Sequence, residues 1–260
     1  MIDTHSHIYV EEFDADRAEA LQRAWSAGVE LLLLPDIDSE SRERMFNLAK
    51  AYPSKCLPMV GLHPTSVNDN PRWQEELDMV ERLLREPPMR LYGVGEIGLD
   101  LYWSTDFYSV QREVLHAQLE LALQYDLPVA IHTRSAYKEM LDAIATYRGR
   151  GLRGVFHAYA DSVDMARKLA ALGDFVFGVG GVVTFKNSGL DRVVSELPTE
   201  LLLLETDCPY LTPVPHRGKR NESAYVEYVC RKIAELHGVT TEHIDAITTA
   251  TAKRMFVIEG

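Results

Sequence analysis

Residues 128–157, PVAIHTRSAYKEMLDAIATYRGRGLRGVFH, decide the fold. A short apolar run at 128–132 leads into a helical pattern at 136–147, and a second apolar run follows at 154–157. Both runs end on a histidine, His132 and His157. Two apolar strands joined through a helix form the crossover unit of a parallel sheet. Strands that are nearly all apolar suit a sheet buried on both faces.

The same alternation extends in both directions. Strand-like runs fall at 1–5, 29–34, 57–62, 91–96, 128–132, 154–157, 175–179 and 201–205. Amphipathic stretches lie between them at 15–27, 40–51, 73–85, 111–125, 136–147, 162–172 and 190–197. Within 111–125, Val114, Leu115, Leu119, Ala122 and Leu123 recur at helical spacing with charges opposite. Eight strand–helix units predict a closed (β/α)8 TIM barrel rather than an open sheet. Helical stretches at 224–237 and 241–256 supply the last crossover and an extra C-terminal helix. The chain has 260 residues, and barrels of this kind run to roughly 250. No linker, low-complexity stretch or helical repeat interrupts it, so 1–260 is expected to be one α/β domain.

Composition narrows the setting. An apolar fraction of 46% is ordinary for a globular chain with a large core. The chain opens directly into its first strand, which leaves no room for a signal peptide. Its longest apolar runs, such as Leu31–Leu34, are far too short to cross a bilayer. Cys56, Cys208 and Cys230 are odd in number and form no C-x-x-C pair, so they are expected to stay reduced, with Cys56 and Cys230 as packing residues. These features predict a cytoplasmic protein with no membrane partner and no evident obligatory protein partner. The Asn221-Glu-Ser223 sequon is then accidental. A net charge of −12 argues against broad nonspecific binding to nucleic acid, which relies on cationic surface. It leaves room for a local basic patch at a site.

Gly93-Val-Gly95-Glu-Ile-Gly98 matches the G-x-G-x-x-G of dinucleotide enzymes. A nicotinamide-cofactor site needs a helix to open at once, with its N-terminus facing pyrophosphate. Here Leu99 to Thr105 intervene, and Glu96 would sit inside the phosphate turn. The glycines are better explained by backbone bending at a crowded barrel mouth.

Six acidic or imidazole side chains fall where strands are expected to end. They are His5 and His7 in MIDTHSH, Glu96 in YGVGEIGLD, His132 in VAIHTR, His157 in GVFHAY and Asp207 in LLLLETD. Strand ends of a parallel barrel converge on one face, where catalytic residues gather. Three or four nitrogen or carboxylate ligands hold one divalent cation, so six predict two. His5 and His7 lie two apart on a strand and project to the same face. Glu96 would be costly to bury uncompensated, and its two oxygens could bridge two cations. Any one of these residues could be a surface histidine, a buried histidine or a salt-bridged glutamate. Five strands supplying the right types in the same place outweigh that reading. Asp207 could both ligate metal and take a proton from water. Glu205 is the competing carboxylate, and alternation sets it opposite Thr206, with Asp207 at the mouth.

With these motifs the chain resembles the TatD family of metal-dependent deoxyribonucleases, within the amidohydrolase-like barrels. The likeness spans IDTHSH, GLHP, GEIGLD, IHTR, FHAY and ETDCPYLTPVPHRGKRNE, the last being long and specific. The resemblance implies that His5, His7, Glu96 and Asp207 hold one metal and that Glu96, His132 and His157 hold the other. Glu96 is then the bridge and takes part in catalysis, with Asp207 as general base. Amidohydrolases bridged by a carbamylated lysine usually carry Lys on this fourth strand; Glu here favours the TatD branch. Cys208 departs from the family pattern, which often has Ser.

The function this implies is phosphodiester hydrolysis in DNA, from the 3′ end of a preferably single-stranded substrate. Mixed N/O ligation admits Mg²⁺, Mn²⁺ or Zn²⁺. His63 in GLHP, Arg134 in IHTR, and His216 and Arg217 in PHRG are candidates to position phosphate oxygens, or else partners of carboxylates such as Asp100 and Glu205. Tyr102, Trp103 and Phe107 follow the fourth strand and either stack bases or cap the barrel; capping is the preferred expectation. Two alternatives stay open: a metallohydrolase of an ester or amide, including a deacylase of mischarged tRNA, and a non-catalytic metal-binding protein.

Overall fold

The structure, a computed structural model, describes residues 1–259; Gly260, the last residue of the expected domain, lies outside the described residues. Eight parallel strands follow one another: β1 (Ile2–Asp3), β2 (Leu31–Leu34), β3 (Cys56–Pro58), β4 (Val94–Asp100), β5 (Val129–Arg134), β6 (Arg153–Phe156), β7 (Asp174–Val179) and β8 (Leu202–Leu204). β1 to β3 pair in sequence, as do β4 to β8. The two sheets meet at a Val60–Val94 bridge, and the ring closes where Leu204 O accepts from Thr4 N at 3.0 Å. This is the expected (β/α)8 barrel.

Helices α1 (Arg17–Ser26), α2 (Ser39–Ala51), α3 (Trp73–Arg85), α4 (Tyr108–Gln124), α5 (Tyr137–Ala145), α6 (Val163–Ala170), α7 (Leu190–Glu196) and α8 (Val226–His237) alternate with the strands. The apolar stripe of α4 shows why: Val114, Leu115, Leu119 and Ala122 are buried against the sheet. Caps fix several helix starts, with Asp38, Ser162 and Thr240 each accepting a backbone N–H of the first turn. No helix among the described residues is long and apolar enough to cross a membrane.

The interior of the barrel is a separate small core. Ile2, Leu33, Leu57, Ala130, Val155, Val176 and Leu203 come one from each strand except β4, and Met59 follows β3. The extra C-terminal helix α9 (Thr241–Met255) plugs this core with Ala252, Met255 and the adjoining Phe256. β4 contributes no side chain because glycines stand just before it and within it, at Gly93 and Gly95. A Cβ on Gly93 would lie 2.8 Å from Met59 Sδ, and one on Gly95 would lie 2.7 Å from Ala130 Cβ. Part of the G-x-G-x-x-G match is thereby explained as barrel packing.

Most strands begin or end one to three residues from expectation, β1 stopping at Asp3 short of His5, and two strands differ most. β3 stops at Pro58 rather than running to 62, with only the Val60 bridge beyond it. β4 begins at Val94 and continues to Asp100, so Glu96 lies inside the strand and not at its end. The cause is a register shift between Val94 and Ile97. Both belong to the outer core although three residues apart, which strict alternation forbids. The irregularity adds the residue that turns Glu96 toward the barrel mouth while Ile97 stays outward.

Candidate metal centre

Beyond the apolar interior, the C-terminal ends of the strands carry the polar groups. On β5, alternation sends Ala130 into the inner core, and His132 and Arg134 follow on the same face. On β6, Val155 is inward and His157 comes two residues later. β8 behaves likewise: Leu203 is inward, Glu205 is next on that face, and Asp207 follows.

The six expected side chains converge, and Glu96 is at their centre. Its Oε2 lies 3.2 Å from His5 Nε2 and 3.4 Å from His7 Nε2. Asp207 Oδ1 completes this side, 3.6 Å from His7 Nε2 and 3.9 Å from His5 Nε2. Glu96 Oε1 lies 2.9 Å from His132 Nδ1, 3.4 Å from His157 Nε2 and 3.4 Å from His63 Nε2. Each oxygen of one carboxylate therefore faces its own group of nitrogens.

Surrounding groups set which nitrogens are free. The Tyr9 hydroxyl donates to Pro35 O and so accepts from His7 Nδ1 at 2.9 Å, which leaves His7 Nε2 with a lone pair toward Glu96. His132 is held between two carboxylates, with Nε2 3.0 Å from Asp100 Oδ2. His157 Nδ1 lies 3.2 Å from Glu205 Oε1, an ion-pair distance without hydrogen-bond alignment. Glu205 Oε1 accepts from Ala158 N at 2.6 Å, and Gly178 leaves the room, since a Cβ there would lie 2.0 Å from Glu205 Oε2.

The turn bearing Asp207 is held from several sides. Asp207 has φ +54°, the left-handed region that Asp tolerates better than most residues. Thr206, before it, donates through N and Oγ1 to the fully buried Asp3 at 2.9 and 2.7 Å. Asn221 Nδ2 bridges the carbonyls of Thr206 and Tyr210 at 2.8 and 2.6 Å. The sequon asparagine is thus buried and fully engaged. Cys56, Cys208 and Cys230 are free and buried.

Burial and charge act strongly here. Burial, and then neighbouring His157, hold the His5 imidazole well below its usual range. For His157 burial opposes protonation, but Glu205 and Glu96 override it and raise the pKa to about 10. Burial pushes Asp207 up to about 6, with His157 and His7 pulling the other way. Burial also lifts Asp3 to about 7 against its hydrogen bonds.

The donor set suits divalent cations. His5 Nε2 and His7 Nε2 approach to 3.1 Å beside Glu96 Oε2, a convergence of lone pairs that a cation satisfies better than a shared proton. Donor atoms within 4.8 Å of one another occur in His5/His7/Glu96 and in His63/Glu96/His132, and also in His5/His157/Glu205.

The remaining expected residues divide. His63 stands with the ligand nitrogens, and it and Arg134 line the cavity of about 660 Å³ above Glu96. His216 and Arg217 do not line it. His216 stacks on Tyr225 at 4.2 Å and meets the Tyr228 hydroxyl at 3.0 Å, partners nine and twelve residues on, one just before α8 and one in its first turn. Arg217 lies over the Phe185 ring at 3.9 Å. Sequence reasoning missed Tyr9 as the partner of His7, and named Asp100 and Glu205 only as possible ion-pair partners of other basic residues, with Glu205 also as the competitor of Asp207, not as the carboxylates beside His132 and His157. The first signal was there in the i, i+2 spacing of His5, His7 and Tyr9.

A closed parallel barrel with a histidine–carboxylate cluster at its strand ends is an arrangement suited to metal-dependent hydrolysis. Comparison with known proteins makes this specific. The model of the TatD related DNase family matches residues 2–257, and the chain belongs to the TatD family of metal-dependent hydrolases. It is 36% identical over 259 residues to the metal-dependent hydrolase YabD of Bacillus subtilis, covering 99% of each chain. It is 34% identical to the Mycobacterium tuberculosis metal-dependent hydrolase TatD, over 98% of this chain and 97% of the other. Among solved structures, YJJV, a TatD homolog from Escherichia coli, superposes with a TM-score of 0.91 at 30% identity, covering 100% of this chain and 98% of that one.

Proposed function

We propose that this chain hydrolyses phosphodiester bonds in DNA, releasing nucleotides from the 3′ end of a single strand, with two divalent cations in the cluster. The observation that carries the reading is the division of Glu96, whose two oxygens face separate groups of donors. His5, His7, Glu96 and Asp207 would hold one cation, and Glu96, His132 and His157 the other. His63 adds a nitrogen beside the second group. Mg²⁺, Mn²⁺ and Zn²⁺ all suit such ligands. When bound, these ions supply Lewis acidity toward a phosphoryl oxygen and make water more acidic.

The chain's own groups account for the rest. Asp207 takes the proton of the attacking water, because it lines the cavity whereas Glu205 is fully buried beneath His157. Arg134 offers its N–H edge to a phosphate oxygen, since its contacts are aromatic faces rather than a carboxylate. Arg217 meets a phosphate farther along the strand. Asp100 and Glu205 orient His132 and His157. The DNase description of the matching family supports the choice of substrate.

The test is to strip the protein with chelator, return Mg²⁺, Mn²⁺ or Zn²⁺ singly, and assay end-labelled single-stranded DNA. Release of nucleoside monophosphates with at least one metal is expected. Metal-dependent hydrolysis of a simple ester, with none of DNA, would refute the phosphodiesterase reading.

A further inference from the structure

Exposed apolar groups on this protein are concentrated rather than scattered. Eight large hydrophobic residues are exposed among the described residues, and five of them, Tyr102, Trp103, Tyr210, Leu211 and Val214, lie on the loops after β4 and β8. Single exposed hydrophobics need no explanation, but a group around one opening does. Trp103, Tyr210 and Leu211 line the same cavity as Glu96, His132 and Asp207. Capping the barrel, the preferred expectation for Tyr102 and Trp103, would have buried them. Instead Trp103 is 69% exposed and Tyr102 56%.

Trp103 is nevertheless held. Its ring stands edge-on to Tyr102, with centroids 5.0 Å apart and an interplanar angle of 85°. The Arg134 guanidinium lies 3.8 Å from the Tyr102 centroid and 5.4 Å from that of Trp103. Tyr102 N donates to Asp100 Oδ1 at 3.0 Å, and the other oxygen of Asp100 meets His132 Nε2. The aromatic pair is therefore coupled to the cluster through Asp100 and through Arg134, two residues beyond His132 on β5.

We infer that Trp103, buttressed by Tyr102 and Arg134, is a stacking platform for one unpaired nucleobase, the one beside the phosphate that sits at the Glu96–His132 cluster. The inference rests on the phosphodiesterase reading and names how that substrate is gripped. A flat exposed ring at a cavity mouth matches the face of a base, which an unpaired nucleotide presents and a duplex keeps inside its stack. A cavity of about 660 Å³ has the size of a small-ligand site and admits a strand end, not a double helix. Arg134 sets positive charge between the platform and the cluster, where the backbone joining base and phosphate must pass. With a net charge of −12, general electrostatic attraction cannot hold a polyanion, so local contacts have to.

The experiment compares wild type, Trp103→Ala and Trp103→Phe on a short single strand and on the same strand lacking the base of its 3′-terminal nucleotide. Turnover is measured with metal saturating, and equilibrium binding of both strands by fluorescence anisotropy in chelator. Trp103→Ala is expected to raise KM and weaken binding of the ordinary strand by about ten- to a hundredfold, with kcat little changed, as loss of a stacked base does. Trp103→Phe should retain most of the affinity, and the base-free strand should not distinguish wild type from Trp103→Ala. Wild-type KM and binding for Trp103→Ala, or equal losses on both strands, overturn the inference. A wild type that cleaves neither strand, yet binds the ordinary one better in a Trp103-dependent way, sinks the phosphodiesterase reading and keeps the platform. A wild type that neither binds nor cleaves sinks both.

Discussion

Asn221 offers a sharp test of how the Asp207 turn is held. Its side chain makes three hydrogen bonds: Nδ2 donates to Thr206 O at 2.8 Å and to Tyr210 O at 2.6 Å, and Oδ1 accepts from Glu222 N at 2.9 Å. Asn221→Leu keeps the approximate shape and removes all three. Thr206 is buried, so its carbonyl loses its partner without gaining water, at about 1–3 kcal/mol. The two other bonds are typically worth about 0.5–1.5 kcal/mol each, and Tyr210 is exposed enough for water to replace one. A loss of about 3 kcal/mol follows, which for a chain of this size lowers Tm by roughly 6–12 °C. Asn221→Asp should be no milder, because it turns a carboxylate toward two carbonyl oxygens. Thr206 and Tyr210 flank Asp207, so turnover should fall together with stability. Scanning calorimetry, elemental analysis and a DNA-hydrolysis assay on one preparation decide the matter. An Asn221→Leu protein that melts with wild type and turns over normally would show that the clamp holds nothing.

Three further outcomes are expected. Glu96→Gln should abolish hydrolysis and lower metal content toward one ion or none by elemental analysis, because both donor groups share this carboxylate; two full equivalents with normal turnover would refute the shared role. Asp207→Asn should melt close to wild type yet lose about 10²- to 10⁴-fold in kcat, the usual scale of a general base; a wild-type rate would move that role elsewhere. Glu205→Gln removes the charge beside His157 without opening the cavity and should weaken metal binding by about 10- to 100-fold, read by competition with a chromophoric chelator. Unchanged affinity would mean that His157 needs no carboxylate behind it.

What was legible in the sequence follows from what alternation can report. β5 carries alternation from Ala130 to His132, while His157 and Asp207 stand one and three residues beyond β6 and β8 and were legible from two-residue steps after Val155 and Leu203. β4 breaks the alternation. Val94 and Ile97 could not both be outward in a regular strand, and that both are is known only from the packed barrel. His63 was readable as a site residue, though its nearness to Glu96 was not. β3 ends at Pro58, and His63 is placed by a loop bond, His63 N to Ile37 O at 2.9 Å. His216 differs for the opposite reason: the PHRG motif suggested a place in the mouth, while its ring partners, Tyr225 and Tyr228, come from the start of α8, nine and twelve residues on. Tyr102 and Trp103 were placed on the right loop, but exposure is a tertiary quantity that their residue types do not carry.

Charge explains why such a cluster can exist inside an acidic protein. Many surface carboxylates already have cationic partners, as in Asp14 with Arg17 and Arg44, Asp16 with Arg23 and Arg220, and Asp126 with Arg153. At the mouth the pattern reverses, because Arg134 lies against aromatic rings. Three buried carboxylates, Glu96, Asp100 and Glu205, gather there with the half-buried Asp207 and imidazoles around them. Burying that much negative charge requires positive charge close by. Two dications would supply four positive charges against four carboxylates, with the imidazoles neutral as ligation demands. The balance at the floor is then zero, and Arg134 is the surplus. On the proposed reading, a phosphodiester would bring one negative charge per phosphate to a cavity whose surplus charge is Arg134, and its binding there would not work against the −12 of the whole chain.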